Sequence, residues 1–208
     1  MNGDLSDVLR PGSRWGYFGG AFDPPHFGHL ILAAELLDTL ALDGALFGVT
    51  FDPPHKARPV ASFDDRLAMT KLACDGEPRF VASDYERLIP PPSYAVNVMR
   101  ALTLERPAVS FTLLLGADNF DILTQWKDID TLLATVPIVV GGRSGKGESV
   151  LAEDLIARHP GRLRKVATPL IDIASTDLRH RVAHGRPIRF RTPPAVEDYI
   201  LNHRLYRT

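Results

Sequence analysis

A regular alternation of short apolar runs with longer amphipathic segments limits the folds open to this chain. The clearest run, Val109–Leu115, consists of Val-Ser-Phe-Thr-Leu-Leu-Leu and is followed by Gly116. Near-continuous apolar strands interleaved with helices are typical of a parallel sheet that is covered on both faces. We therefore predict an α/β fold with a mostly parallel sheet and helices on both faces. Ligands of such sheets bind outside the carboxyl ends of the strands.

The same pattern predicts individual strands and helices along the chain. Strands are expected at 15–19, 45–51, 109–115, 137–140 and 163–168, and helices at 27–42, after Ser62, at 93–105, around Ile129, and at 150–158, 176–184 and 193–202. Ser62 and Asp65 have the spacing of a capping box. Ser93 is predicted to cap the helix that runs to Glu105. The glycine-rich segment 141–147 is expected to be a surface loop.

Composition excludes several classes of protein. The chain has 208 residues, of which 45% are hydrophobic and 24% charged, unlike a disordered or fibrous chain. Its one cysteine, Cys74, rules out an intramolecular disulfide and a cysteine-rich zinc site. No apolar run approaches the roughly 20 residues of a membrane span, and the acidic N-terminus lacks the apolar core of a signal peptide. We therefore predict a soluble cytoplasmic protein.

Charge is distributed unevenly, although the formal net charge is −1. Residues 1–140 carry 11 Lys and Arg against 18 Asp and Glu, whereas residues 141–208 carry 13 against 7. The basic part could attract phosphates, RNA or an acidic partner, or it could be an ordinary solvated face. Charge alone leaves these alternatives open.

The residues best suited to chemistry follow the first predicted strand. Residues 19–29, which we call the histidine turn, are Gly-Gly-Ala-Phe-Asp-Pro-Pro-His-Phe-Gly-His. Glycines and a helix N-terminus present backbone N–H groups to an anion. His26 and His29 share a face on the first turn of a helix, and Gly28 between them omits a side chain that would crowd a ligand. Two imidazoles here suit the charge that develops on a phosphoryl group during transfer.

Plainer interpretations of the two histidines stay open on the residues alone. His26 could cap the helix, and His29 could satisfy a hydrogen bond in the core. A zinc site would need a third ligand, and the sequence shows no clear one nearby.

The histidine turn resembles the signature of the HxGH nucleotidylyltransferases. Further segments are similar to the bacterial nicotinate-nucleotide adenylyltransferases: Pro53–Lys56, Pro92–Tyr94, Gly116–Asp118 with Gln125 and Trp126, Ile173–Arg179, and Val196 to Tyr206. The resemblance runs in order through residues 15–206. It implies a Rossmann-like nucleotidylyltransferase fold and a single domain, 1–208, in which the C-terminal helical part 173–208 completes the ATP site.

The resemblance also implies a reaction. The phosphate of nicotinate mononucleotide would attack the α-phosphorus of ATP directly, giving nicotinate adenine dinucleotide and pyrophosphate, with Mg²⁺ as the cofactor. Such chemistry needs positioning and charge neutralisation rather than a covalent intermediate on the enzyme. The implied partners are these small molecules, with no nucleic acid and no membrane, and a homo-oligomer is left open.

Functional roles carry over from the family position by position. The catalytic residues would be His26, His29 and Lys56. The residues implied to bind ATP are Gly19, Gly20, Ala21, Phe22, Gly28, Gly116, Asp118, Ser175, Thr176 and Arg179. The residues implied to bind nicotinate mononucleotide are Lys56, Ser93, Tyr94, Ala95 and Trp126, with the indole stacked on the pyridine ring. No residue is assigned as a metal ligand.

Several of these roles have plainer alternatives on the residues alone. Lys56 could be a solvated loop lysine, and Trp126 could be an ordinary core or interface side chain. Ser175 and Thr176 could simply cap a helix on which Arg179 is exposed.

The chain departs from the family pattern at five positions. Alanine replaces a hydroxyl-bearing or glycine residue at Ala21, Ala95, Ala117 and Ala174, and Val98 stands where the pattern has its second threonine. These changes leave open nicotinamide mononucleotide or another phosphate acceptor for an enzyme of the same superfamily. A non-catalytic nucleotide- or RNA-binding module is the alternative from another class, and the presence of both histidines, Lys56 and Arg179 argues against it.

Overall fold

The computed structural model describes residues 5–52, 58–120, 122–142 and 150–207. Its strands are β1 Arg14–Gly20, β2 Gly44–Val49, β3 Phe80–Ser83, β4 Ser110–Gly116, β5 Ile138–Gly142 and β6 Leu163–Ala167. Its α-helices are α1 Leu5–Val8, α2 Phe27–Leu40, α3 Phe63–Cys74, α4 Ala95–Glu105, α5 Ile129–Thr135, α6 Val150–Arg158, α7 Ser175–Ala183 and α8 Pro194–Asn202. Short 3₁₀ helices lie at Tyr85–Leu88, Ala117–Asn119 and Leu123–Gln125.

The strands form one parallel sheet in the order β3-β2-β1-β4-β5-β6. This confirms the predicted α/β class and the Rossmann-like arrangement. The direction in which the chain moves across the sheet reverses between β1 and β4. Sheets of this topology bind ligands in the crevice at that reversal, outside the carboxyl ends of the two strands. Gly20 ends β1 and Gly116 ends β4, so both lie at this crevice.

Neighbouring residues of each strand pack into cores on opposite faces of the sheet. Tyr17 packs with Met99 of α4 on one face. Phe18, the next residue, packs with Leu36 of α2 on the other face. Because successive strand residues point to opposite faces, a strand covered on both sides needs apolar residues at nearly every position.

The C-terminal helices pack against α3. Met69 of α3 lies in one apolar cluster with Leu178 of α7, Ile200 of α8 and Tyr206. This cluster brings residues near the end of the chain back to the histidine turn.

The two predicted helix caps have different outcomes. Ser62 caps α3 as expected, since its Oγ accepts the Asp65 N–H at 3.1 Å. The prediction for Ser93 is wrong: α4 begins at Ala95, and the Ser93 hydroxyl donates to Glu86 Oε2 at 2.9 Å. A buried carboxylate needs donors from the protein, because water cannot replace them.

Strand β3 was not predicted from the sequence, and part of one predicted loop lies outside the described residues. Phe80–Ser83 is a four-residue strand at the sheet edge and is mostly half-buried, so it gives no apolar run. Of the loop predicted at 141–147, the first two residues end β5 and the remainder lies outside the described residues. No helix in the described ranges is long and apolar enough to cross a membrane.

Candidate active site

The histidine turn leaves the carboxyl end of β1 and enters α2. Phe22 has a left-handed backbone with φ of 48°, which is uncommon for a bulky residue. Its ring is 2% exposed and packs edge-on against His29, with ring centroids 5.1 Å apart. The side chain of Phe22 is therefore a core residue, and only its backbone can serve a ligand.

The two histidines of the turn stack on each other. The ring centroids of His26 and His29 are 3.7 Å apart and their planes differ by 22°. The backbone N–H of His26, which precedes α2, donates to His29 Nδ1 at 3.2 Å. Because Nδ1 accepts this bond, a neutral His29 carries its hydrogen on Nε2. His29 thus contributes to the cap of α2 while its other nitrogen is a donor.

His26 is a buried and neutral imidazole. His26 is 5% exposed, and burial lowers its pKa to about 4. Within the described part of the chain, His26 Nδ1 is buried without a hydrogen-bond partner. Buried polar atoms without partners are rare, and this one faces the first turn of α2, where His26 is the N-cap residue.

Gly28 gives space to a neighbouring side chain. A β-carbon at Gly28 would lie 3.0 Å from His26 Nδ1. The missing side chain therefore makes room for the imidazole of His26, and the predicted role of Gly28 beside ATP stays a prediction.

Three consecutive carbonyls of the histidine turn are held by the C-terminal part of the chain. They belong to Asp23, Pro24 and Pro25, and their donors are Arg179 Nη1 at 2.7 Å, Ser175 Oγ at 2.8 Å and Thr192 Oγ1 at 2.8 Å. Arg179 Nη2 also donates to Thr176 Oγ1 at 3.2 Å. The residues predicted at this helix N-terminus do lie at the turn, but Ser175 and Arg179 bind the protein itself there. Neither is the N-cap residue of α7, which is Ala174.

A cavity of about 130 Å³, which we call the aromatic cavity, opens beside the turn on the α4 side of the sheet. Its walls include Gly19, Gly20 and Ala21 of the turn together with Ser93, Tyr94, Ala95 and Trp126. Apolar wall is added by Leu113, Leu115 and Ile122. The structure therefore brings the residues predicted for the mononucleotide together at one cavity. Lys56 is the exception, because it lies outside the described residues.

Glu86, a carboxylate in the wall of the aromatic cavity, is not among the site residues predicted from the sequence. Glu86 is 4% exposed and accepts hydrogen bonds from Tyr17 Oη at 2.9 Å, Ser93 Oγ at 2.9 Å and the Phe51 N–H at 3.3 Å. Burial raises the pKa of Glu86, and these three donors oppose the rise. Gly48 permits the contact with Tyr17, because a β-carbon at Gly48 would overlap the Tyr17 hydroxyl.

No local signal marks Glu86 in the sequence. It stands in the polar stretch Asp84-Tyr85-Glu86-Arg87, which is typical of a solvated turn. Its partners come from three other segments, so only the folded chain identifies it as buried.

Two further predicted positions lie at the end of β4. Gly116 ends the strand, and Asp118 follows it in an exposed 3₁₀ helix. Asp118 Oδ1 accepts a hydrogen bond from Asn119 Nδ2 at 2.9 Å, and Asn119 lines the aromatic cavity. The β4 end therefore borders the same crevice as the histidine turn.

The part of the chain that the structure describes provides no ready set of metal ligands. Among residues 5–52, 58–120, 122–142 and 150–207, no three His, Cys, Asp or Glu side chains are grouped so that they could hold a metal ion.

Comparison with known proteins yields consistent relatives. A model of the cytidylyltransferase-like family matches residues 17–181. A relative from Thermomicrobium roseum, named a probable nicotinate-nucleotide adenylyltransferase, is 40% identical over 200 residues, which cover 94% of this chain and 92% of the relative. A relative of the same name from Roseiflexus sp. is 41% identical over 194 residues, covering 92% and 97% of the two chains.

A solved structure has a similar fold. It is the nicotinic acid mononucleotide adenylyltransferase of Plasmodium falciparum complexed with NaAD, with a TM-score of 0.75. The match covers 93% of this chain and 97% of that chain at 16% identity, so the likeness concerns the fold alone.

Proposed function

The chain belongs to the cytidylyltransferase-like family and, within it, to the nicotinate-nucleotide adenylyltransferases, and we propose from this membership what its site does. The enzyme transfers the adenylyl group of ATP to nicotinate mononucleotide, giving nicotinate adenine dinucleotide and pyrophosphate, a reaction of NAD biosynthesis. The observation that carries the proposal is the meeting of a stacked histidine pair and an aromatic cavity at the carboxyl end of β1.

The aromatic cavity is the proposed site of nicotinate mononucleotide. Its apolar wall and the half-buried Trp126 and Tyr94 suit a flat pyridine ring, and stacking on Trp126 would hold that ring. Ser93 donates to Glu86, so its hydroxyl is committed to the protein. The ring carboxylate is therefore assigned to the backbone N–H groups at the start of α4, where Ala95 lies, because a helix N-terminus favours an anion.

The histidine turn is the proposed site of the ATP triphosphate. Gly19, Gly20, Ala21 and Phe22 contribute backbone groups, and Gly28 allows His26 to take its place. The second helix N-terminus, where Ser175 and Thr176 lie, adds backbone N–H donors, and Arg179 adds positive charge while it holds the turn. Gly116 and Asp118 border the adenosine part from the end of β4. Lys56 is proposed to neutralise the reacting phosphates.

The proposed reaction is one in-line substitution. An oxygen of the mononucleotide phosphate forms a bond to the α-phosphorus of ATP, and the bond from that phosphorus to the bridging oxygen breaks, so that pyrophosphate leaves with the electron pair. His26 and His29 donate hydrogen bonds to the charge that develops in the transition state. Since His26 is neutral, it stabilises that charge through N–H donation and not as an imidazolium.

Mg²⁺ is proposed to enter the site with ATP. When bound, Mg²⁺ would neutralise part of the triphosphate charge. The described residues offer no group of three metal ligands, and the carboxylate of Asp23 already accepts three hydrogen bonds from the protein. The phosphates of ATP would supply the main ligands of Mg²⁺, and the side chains of the turn would orient those phosphates.

Two wider proposals from the sequence are retained. The first is that residues 1–208 form one domain in which 173–208 complete the ATP site, and the bonds from Ser175, Arg179 and Thr192 to the turn support it. The second is that the enzyme works in the cytoplasm.

Pyrophosphate release with ATP and either nicotinate or nicotinamide mononucleotide tests the function. We expect at least about a hundredfold preference for the acid in kcat/KM, because a site of donors rejects a ligand that leaves them unpaired. Equal rates would contradict the acid preference. ATP binding without pyrophosphate release with either acceptor would favour the non-catalytic alternative.

A further inference from the structure

Asp23 is a buried carboxylate to which the proposed reaction gives no role. It is 4% exposed and lies three residues before His26 in the histidine turn. Asp23 Oδ2 accepts the Val60 N–H at 2.7 Å, and Oδ1 accepts the Ala61 N–H at 3.1 Å. These bonds fasten the turn to the chain that leads into α3.

A third donor to Asp23 comes from near the end of the chain. The Tyr206 hydroxyl donates to Asp23 Oδ1 at 2.8 Å, across 183 positions of sequence. Tyr206 is 9% exposed, and burial, reinforced by the Asp23 charge, raises the pKa of Tyr206 well above its usual range. The hydroxyl therefore stays protonated and remains a donor. A hydrogen bond to a carboxylate is stronger than one between neutral groups.

Arg179 forms an ion pair with Asp23, and the Asp23 charge opposes the lowering of the Arg66 pKa that burial causes. Arg179 Nη1 lies 3.7 Å from Asp23 Oδ2 and donates to the Asp23 carbonyl at 2.7 Å. Arg66 is 2% exposed and donates to the carbonyls of Ala21 and Thr50 at 2.8 and 2.9 Å. The carboxylate thus has donors or ion-pair partners on three separate segments of the chain.

The orientation of Asp23 is passed on to His26 by the covalent chain. Pro24 and Pro25 separate the two residues, and proline fixes its own φ near −65°. The φ angles of both prolines are therefore fixed, so fewer soft dihedrals remain between Asp23 and His26 to absorb a displacement of Asp23. Loss of one donor at Asp23 Oδ1 would leave Ala61 N–H as its remaining hydrogen-bond donor among the described residues.

We propose that Tyr206 is a positioning residue for adenylyl transfer, which acts through Asp23 to hold His26 and His29 against the transferring phosphoryl group. This inference rests on the proposed function. It assigns to the end of the chain a role in ATP use rather than in general stability alone.

Tyr199 provides a matched control. Its hydroxyl also donates to a carboxylate, Asp65 Oδ1, at 3.0 Å, and it also belongs to the C-terminal part. Asp65 lies in the first turn of α3 and outside the histidine turn. Tyr199→Phe therefore removes the same type of bond without touching Asp23.

The experiment compares Tyr206→Phe and Tyr199→Phe in steady-state kinetics. Tyr206→Phe should lower kcat/KM for ATP by at least about tenfold, the lower end of what one hydrogen bond to a charged group contributes. Affinity for nicotinate mononucleotide, followed by Trp126 fluorescence, should stay within about twofold, because the aromatic cavity keeps its walls. Tyr199→Phe should stay within about twofold in both measurements. Equal losses in the two variants, or no loss in Tyr206→Phe, would overturn the inference.

A double-mutant cycle tests the route through Asp23. If Tyr206 acts through this carboxylate, Tyr206→Phe should cost little more once Asp23→Asn is present. Fully additive losses would contradict that route.

A third measurement does not depend on activity. Amide hydrogen exchange at Val60 and Ala61 should be faster in Tyr206→Phe than in Tyr199→Phe, and unchanged exchange would overturn the inference. A wild-type chain without adenylyl transfer would instead refute the proposed function, and the inference with it.

Discussion

At the scale of single residues, the electrostatics of His26 decide how the site handles phosphate charge. A histidine beside a triphosphate is often imagined as a cation, but burial lowers the pKa of His26 to about 4. Near neutral pH the ring is therefore an N–H donor without charge. Such a donor is preorganised for the transition state and does not bind the ground state by net charge.

The low pKa of His26 makes a prediction for acid stability. An unfolded histidine has a pKa of about 6.5, so protons bind the unfolded chain more readily. Titration of His26 therefore leaves the free energy of unfolding unchanged above a pH of about 6.5 and lowers it as the pH drops further. Below a pH of about 4 this loss reaches its full size of about 3 kcal/mol. Asparagine is also a good N-cap residue. Between pH 7 and 4.5 the free energy of unfolding of His26→Asn should therefore fall by about 2–3 kcal/mol less than that of the wild type.

Urea unfolding at the two pH values measures this difference. Identical losses of unfolding free energy in wild type and His26→Asn would show that His26 is not a neutral buried group.

At the scale of elements, a serine stands directly before α4 without capping that helix. Ser93 stands before a helix but donates to the buried Glu86 instead of capping α4. Ser62 caps α3 in the ordinary way. The two serines allow the contributions of a helix cap and of a donor to a buried carboxylate to be compared in the stability of one chain.

We predict that Ser93→Ala destabilises more than Ser62→Ala. Loss of a cap costs about 1 kcal/mol, whereas loss of a donor to a buried charge costs about 1.5–3 kcal/mol. Removal of the Ser93 donor also raises the pKa of Glu86 further. An acid with a raised folded-state pKa loses stability as the pH rises, so the Ser93→Ala deficit should be larger at pH 7 than at pH 4.5. Urea unfolding checks both statements, and a smaller loss in Ser93→Ala than in Ser62→Ala would contradict them.

Elements differ in how far the sequence predicts them. Strand β4 and helix α2 have strong local patterns, and both were predicted within a few residues. Strand β3 was missed because an edge strand with half-buried residues gives no continuous apolar run. The Ser93 error arose because local spacing carries no information about Glu86, whose burial depends on Tyr17 and on the chain after β2.

At the scale of the whole molecule, the candidate site is assembled from both ends of the chain. The parallel sheet with its reversal between β1 and β4 locates the crevice, and the apolar pattern of the sequence predicted that sheet. The family resemblance supplied the two histidines and the mononucleotide set. It did not supply the fastening of the turn by Ser175, Arg179 and Tyr206, because such hydrogen bonds depend on the packing of α7 and α8 against α3.

The most direct test of the histidine turn is the rate of adenylyl transfer in His29→Asn. The asparagine keeps an acceptor for the His26 N–H, and His203→Asn, at an exposed position after α8, is the matched control. Single-turnover formation of the dinucleotide should slow by about a hundredfold or more in His29→Asn, with the melting temperature and mononucleotide affinity preserved. His203→Asn should react like the wild type. A His29→Asn variant that transfers adenylyl within about threefold of the wild-type rate would contradict a role of the paired imidazoles in the reaction.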